Sequence, residues 1–188
     1  MKKIITLAGI SGSLRKDSYN TMLLRTAQGL LPEGVQMNVV SIADLPIYNG
    51  DYDLPIASER PAAVTAFREK LAKVDGLVIV SPEYNYSIPG GLKNAIDWAS
   101  RGEDAPLLNK PVSIMGATIG MWGTVRMHIA FNPIFEIMNM RPVYRPEVMV
   151  AKAHEKFDES GNFTDEFAKK LIRENLESLK ELIILHEK

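Results

Sequence analysis

The sequence predicts an α/β fold, a five-stranded parallel sheet covered by helices on both faces. Three observations lead there. Short apolar runs alternate with segments of helical periodicity along the chain. One run, Gly76-Leu-Val-Ile-Val-Ser81, is apolar almost without a break, as expected of a strand buried on both faces. Finally, the unusual polar and glycine-bearing loops follow the first, third and fourth runs, which places all three at one end of a parallel sheet. A chain of 188 residues is one domain by length, spanning 1–188, and is long enough to bury about 70% of its unfolded surface.

The elements follow in order. Ile4 to Ala8 starts the first strand. Asn20, Leu23, Leu24, Ala27, Leu30 and Leu31 then fall on one helical face, and Pro32 and Gly34 stop that helix. Val35 to Ile42 reads as a strand, with Val35, Met37 and Val39 alternating against polar neighbours as on a sheet edge. Asp44 to Asp53 is an irregular loop of turn formers. Its three aspartates match no calcium-loop spacing and read as solvated turn acids. Pro61 opens a helix with Val64, Phe67, Leu71 and Val74 on one face, and the Gly76–Ser81 strand comes next. Leu92, Ala95, Ile96 and Ala99 give the following helix its buried side. Pro111 to Gly116 is the fourth strand, and a helix runs from about Thr124 to Met138. Val143 to Val150 reads as the fifth strand. Pro142 and Pro146 would break a central ladder, so it belongs at an edge. Thr164 is the expected cap of a last helix striped by Ala168, Leu171, Ile172, Leu176, Leu179 and Ile183. With the second and fifth strands at the edges, the order is the flavodoxin-like 2-1-3-4-5. Its switch point, where ligands bind, lies between strands 1 and 3.

The first loop, Gly9-Ile-Ser-Gly-Ser-Leu-Arg-Lys-Asp-Ser-Tyr-Asn20, sits between a strand and a helix N-terminus, the arrangement of a phosphate cradle. Gly9 and Gly12 let the backbone approach closely. Ser11, Ser13, Ser18 and Asn20 supply donors, and Arg15 supplies a permanent cation. The chain lacks a Walker-A sequence, and its glycines do not complete a dinucleotide fingerprint. A monophosphate fits this loop better.

Composition narrows the partners. A formal net charge of −1 offers no electrostatic case for nucleic acid or an anionic membrane. The absence of cysteine excludes disulfides, iron–sulfur clusters and thiol catalysis, and agrees with a cytoplasmic setting. Met1-Lys2-Lys3 with the apolar run behind it reads as a first strand rather than a leader, because Gly9, Ser11 and Gly12 interrupt the run. His128, His154 and His186 are scattered without metal-ligand spacing, and no side chain stands out as a nucleophile or general base. The expectation is therefore no metal and no catalytic side chain.

Two motifs are more specific. Gly12-Ser-Leu-Arg-Lys-Asp-Ser-Tyr-Asn20 and Pro82-Glu-Tyr-Asn-Tyr-Ser-Ile-Pro-Gly-Gly-Leu-Lys-Asn-Ala-Ile-Asp-Trp98, in this order and spacing, closely resemble the NADPH-dependent FMN reductase family, most of all its bacterial quinone and chromate reductase branch. The resemblance includes Asp44-Leu-Pro-Ile-Tyr48 and weakens after about Val150. It implies that Ser13, Arg15, Ser18 and Asn20, with Tyr19 among them, hold the FMN phosphate. It further implies that Pro82, Glu83, Tyr84, Asn85 and Tyr86 border the flavin ring, flanked by the loop from Ala117 to Gly120. The residue types agree: Pro82 and Tyr84 can wall a flat apolar ring, while Glu83, Asn85 and backbone N–H groups can address its polar edge. Trp98, on a helix, reads as core packing.

The implied activity is transfer of hydride from NADPH (or NADH) to FMN, then of two electrons to quinones, flavins, azo compounds or metal oxyanions such as chromate. A flavodoxin-type electron carrier and a non-catalytic phospho-ligand module are the rivals. The near-neutral charge argues against the first, and the second leaves the Pro82–Trp98 motif unexplained. A homodimer is expected, because one such domain leaves the ring at the rim of the sheet. The helix after Gly91 and the Met-rich segment Met121 to Met140 are the expected interface. The resemblance also implies tetramers in some members, paired through residues matching Arg126 and Glu147. A tyrosine assisting that contact is replaced here by Ile129, which puts the tetramer in doubt.

Overall fold

A computed structural model describes residues 4–53 and 59–186. Strands β1 (Ile5–Ser11), β2 (Val35–Val39), β3 (Gly76–Val80) and β4 (Pro111–Ala117) alternate with helices α1 (Tyr19–Gln28), α2 (Ala62–Ala72) and α3 (Gly90–Ala99). Helix α4 (Val125–Ile137), the short strands β5 (Arg141–Pro142) and β6 (Val148–Val150), and helix α5 (Glu166–His186) complete the order. The sheet runs β2-β1-β3-β4-β5, with every pairing parallel, as the sequence predicts.

Strand periodicity divides the core in two. In β3 every residue is buried, and its side chains alternate between the two faces. Leu77 and Ile79 join Phe67, Leu71, Leu92 and Phe131 beneath α2, α3 and α4. Val78 and Val80 join Leu23, Leu24, Ile172 and Leu176 beneath α1 and α5. Each fully buried Leu or Ile contributes about 1.5–3 kcal/mol by leaving water. Trp98 is fully buried, as predicted; its indole N–H donates to the Pro46 carbonyl at 2.8 Å, and Tyr48 packs edge-on against its ring.

Three local readings are corrected. The fifth strand is split: β5 pairs with the start of β4 and β6 with its end, while residues 144–147 between them pair with neither. Pro142 and Pro146, lacking an N–H, flank or lie in the gap, so the edge position is right and its continuity is not. Thr164 does not cap α5; its hydroxyl donates to the Lys156 carbonyl, and the Asp165 carboxylate accepts the Ala168 N–H at 2.9 Å. β2 ends at Val39, which is exposed, although Val40 and Ile42 beyond it are buried. Among the described residues no helix is long and apolar enough to cross a membrane.

Register brings the site loops level. Ser11 lies beside Val80 of β3, and Val80 beside Met115 of β4, so the loops leaving these three strands emerge together.

Candidate active site

The loop leaving β1 presses against the end of β3. A Cβ at Gly12 would lie 2.4 Å from Ser81 Oγ and 2.9 Å from a Leu92 methyl, so only glycine allows this approach. Hydroxyls then shape the turn. Ser11 Oγ receives the Ser13 N–H at 3.3 Å and bonds Thr21 Oγ1 at 2.8 Å, while Ser13 Oγ receives the Arg15 N–H at 3.3 Å. Ser18 is the N-cap of α1, in extended conformation, with its Oγ accepting the Asn20 N–H at 3.2 Å. A hydroxyl that accepts in this way still has its own proton to donate outward. The exposed Arg15 guanidinium folds back onto the Asp17 carbonyl.

Asn20 ties two loops together. Its side chain is 3% exposed; Oδ1 accepts the Ala117 N–H at 2.8 Å, and Nδ2 donates to the Ala117 carbonyl at 2.9 Å. The end of β4 is thus pinned to the first turn of α1. Tyr19 packs its ring against Phe157, 5.3 Å between centroids.

The loop after β3 is a two-residue hairpin. Tyr84 and Ser87 exchange both backbone hydrogen bonds, at 3.0 and 2.9 Å, around Asn85 and Tyr86. The Glu83 carboxylate reaches α4, accepting the Arg126 N–H at 2.9 Å and the Met127 N–H at 3.2 Å. The loop after β4 is held from below, with Lys152 N–H donating to the Gly120 carbonyl and Ala153 N–H to that of Thr118.

These loops enclose a cleft of about 210 Å³ at the switch point between β1 and β3. Nine of the residues singled out in the sequence line it: Ser13, Arg15, Ser18, Tyr19 and Asn20 from the first loop, Pro82, Glu83 and Tyr84 from the second, and Ala117 from the third. Asn85, Tyr86 and Gly120 lie on the same loops but do not line it. Thr118 and Ile119 do, within the Ala117 to Gly120 loop expected to flank the ring; Ile119 is an apolar residue 66% exposed. Of the aspartates after β2, Asp53 is buried and paired with Arg60 at 2.5 Å, while Asp44 and Asp51 are exposed. On α4, burial pushes the His128 imidazole below its usual pKa, although hydrogen bonds to the Thr124 and Ile114 carbonyls and the charges of Glu147 and Glu83 oppose the shift.

A flavodoxin-like sheet with a hydroxyl- and arginine-lined cleft at its switch point defines the class: an α/β protein whose cleft lies where open parallel sheets bind their ligands. The chain belongs to the NADPH-dependent FMN reductase family, whose model matches residues 5–155. It is therefore an oxidoreductase with FMN as cofactor and NAD(P)H as electron donor. It is 41% identical over 180 residues to an NAD(P)H-dependent FMN reductase of Pseudomonas aeruginosa, covering 96% of each chain. It is 40% identical over 168 residues to a quinone reductase of Escherichia coli, covering 88% of each. Among solved structures it is similar to FerB, a flavoenzyme NAD(P)H:(acceptor) oxidoreductase of Paracoccus denitrificans, with a TM-score of 0.86 and 29% identity over 97% of this chain and 99% of that one.

Proposed function

We propose that the chain is a cytoplasmic NAD(P)H:quinone reductase that also reduces free flavins, with azo compounds and metal oxyanions such as chromate as further acceptors. The observation that carries this reading is one cleft with two characters. Hydroxyls of Ser13 and Ser18, the Arg15 guanidinium and the N-terminus of α1 form an anionic-ligand end, and Pro82, Tyr84, Ala117 and Ile119 form an apolar wall. This donor set fits the FMN phosphate, and the wall fits the ring. FMN, when bound, supplies the two-electron chemistry, taking hydride from NAD(P)H and passing electrons to the acceptor.

The chain's own residues bind and orient. Ser13 and Ser18 donate hydroxyl protons to phosphate oxygens. Arg15 leaves the Asp17 carbonyl to pair with the same group. Asn20 acts mainly through Ala117, fixing the wall on which the ring rests. Tyr84, 48% exposed, offers an aromatic surface beside the ring, while Asn85, Tyr86 and Gly120 shape the loops that carry those contacts. No side chain takes a proton in this scheme. The protein contributes alignment of donor and acceptor at one open face.

Residues 1–188 form one unit in this reading, and the working assembly is a homodimer. Its support is the apolar outer side of α4, where Ile129 is 61% and Ile137 80% exposed, near the exposed Met121 and Trp122. The outer side of α3 is instead polar, with Lys93 and Asp97 paired at 2.6 Å. A tetramer joined by Arg126 and Glu147 would have to exchange contacts both residues already make within the chain, to Glu83 and Arg145 respectively.

The test is direct. Purified protein should be yellow with non-covalent FMN and should oxidise NADPH when a quinone is added. Colourless protein that takes up no added FMN would overturn the site. Protein that binds FMN without nucleotide turnover would make it a carrier.

A further inference from the structure

We propose that Glu83 and Arg126 form a positioning clamp, which sets the hairpin of residues 84–87 against the cleft and couples it to helix α4. The proposal rests on the reading of the cleft as the FMN site. It starts from a helix that does not cap itself. Thr124, just before α4, has φ 67° in the left-handed region and makes no side-chain cap; its hydroxyl donates to the Gly123 carbonyl at 2.5 Å. The open first-turn amides of Arg126 and Met127 both donate to Glu83 Oε2, at 2.9 and 3.2 Å, from 43 and 44 positions away in the chain. A carboxylate there also meets the positive end of the helix dipole.

The second carboxylate oxygen is engaged as well. Glu83 Oε1 lies 3.3 Å from Arg126 Nη1, and the Glu83 side chain is only 12% exposed. Both oxygens therefore serve α4, although Glu83 also lines the cleft. The Arg126 guanidinium in turn lies over the Tyr86 ring, 4.0 Å from its centroid, and 5.5 Å from that of Trp122. The contacts close a circuit from Glu83 to α4, through Arg126 to Tyr86, and back along the chain to Glu83.

The hairpin needs such support. Asn85 and Tyr86 have φ of 50° and 63°, so a two-residue turn that requires left-handed backbone at both centres carries an aromatic where glycine is usual. Without Arg126 over its ring, Tyr86 has reason to relax toward ordinary backbone, and Tyr84, one residue before the turn's centre, moves with it. Tyr84 and Pro82 face the cleft. The clamp therefore fixes their distance from the bound ring, although neither Arg126 nor Tyr86 lines the cleft.

The test uses full-length protein and three substitutions. Glu83→Gln keeps the shape but turns one accepting oxygen into a donor facing donors. Arg126→Gln keeps the backbone N–H that Glu83 accepts and removes the guanidinium. Tyr86→Gly removes the ring and the strain together. FMN titration by fluorescence quenching should show Glu83→Gln and Arg126→Gln each weakening FMN roughly tenfold, with the double substitution no worse than the poorer single one, as for groups in one bonded network. The visible absorption of bound FMN should shift in both, because the Tyr84 wall moves. In the Tyr86→Gly background, Arg126→Gln should cost less than threefold. Should Glu83→Gln fail to fold for want of the helix cap, the Arg126 and Tyr86 pair still decides. Unaltered FMN affinity and absorbance in Arg126→Gln, even with a lower melting temperature, would reduce the contact to fold stability and overturn the clamp. Full additivity of Arg126→Gln with Tyr86→Gly would overturn it too. Failure of the unsubstituted protein to bind FMN would instead reject the site reading itself.

Discussion

The loop after β1 and the loop after β3 border the same cleft but are held by opposite means. The first is built from side chains bonding their own neighbours: Ser11 to Ser13, Ser13 to Arg15 and Ser18 to Asn20, each two residues apart. The second, closed by the Tyr84–Ser87 backbone pair, is also held from α4, through Glu83 and the guanidinium over Tyr86. A locally bonded loop offers a nearly finished set of donors to an incoming anion, since little ordering remains to be done on binding. A loop held from a distance can instead transmit a change in the helix that holds it. Asn20 is an exception among these side chains, because it also ties the first loop to the end of β4 across 97 positions.

Breaking that exception should have the largest effect. Asn20→Ala leaves the N–H and carbonyl of Ala117, a residue 2% exposed, without their partner. Each orphaned buried group costs about 1–3 kcal/mol, so the loss of stability should be about 2–6 kcal/mol, with weaker FMN binding because the wall loosens. Urea denaturation with and without FMN checks this. A loss below about 1 kcal/mol would show that the Ala117 groups find other partners.

Next in size is Arg15→Ala. It should weaken FMN binding by about 1.5–3 kcal/mol, the usual worth of a hydrogen bond to a charged group, and leave the melting temperature of the FMN-free protein nearly unchanged. The exposed guanidinium bonds the Asp17 carbonyl, within its own loop. Unchanged affinity in titration would make Arg15 a solvated surface cation.

The same contrast explains what could be read from the sequence. The buried run of β3, Pro61 ahead of α2 and the buried Trp98 are signals within a few residues, and the structure places them as expected. Long-range bonding left no such mark. Nothing in Pro82-Glu83-Tyr84 announces that the carboxylate turns away to cap a helix 43 positions on. Arg68 looks like an exposed helix cation, yet it is buried because the carbonyls of Trp98 and Arg101 and the Asp104 carboxylate surround it. Thr164 and Asp165 are both good cap residues, and the choice between them depends on Lys156, which pairs with Asp165 at 2.8 Å. Ile119 carries no polar signature of its own; the resemblance marks only its loop, and the level ends of β1, β3 and β4 bring the residue to the cleft.

The smallest expected effect separates two duties of one hydroxyl. Ser18 Oγ accepts the Asn20 N–H as the cap of α1 and also lines the cleft. Ser18→Ala removes both duties, and loss of such a cap costs about 1 kcal/mol of stability. Ser18→Gly costs only a few tenths of a kcal/mol as a cap, because glycine at this position leaves the first amides open to water. It removes the outward hydroxyl just as fully. If Ser18 serves only the helix, FMN affinity should track stability, with Ala weaker than Gly. If the hydroxyl also donates to the phosphate, Ala and Gly should weaken FMN alike while differing in melting temperature. The locally built loop predicts the second pattern, because a cap formed from short-range bonds leaves the hydroxyl proton free to point into the cleft. Equal melting temperatures with unequal FMN affinities would contradict both assignments.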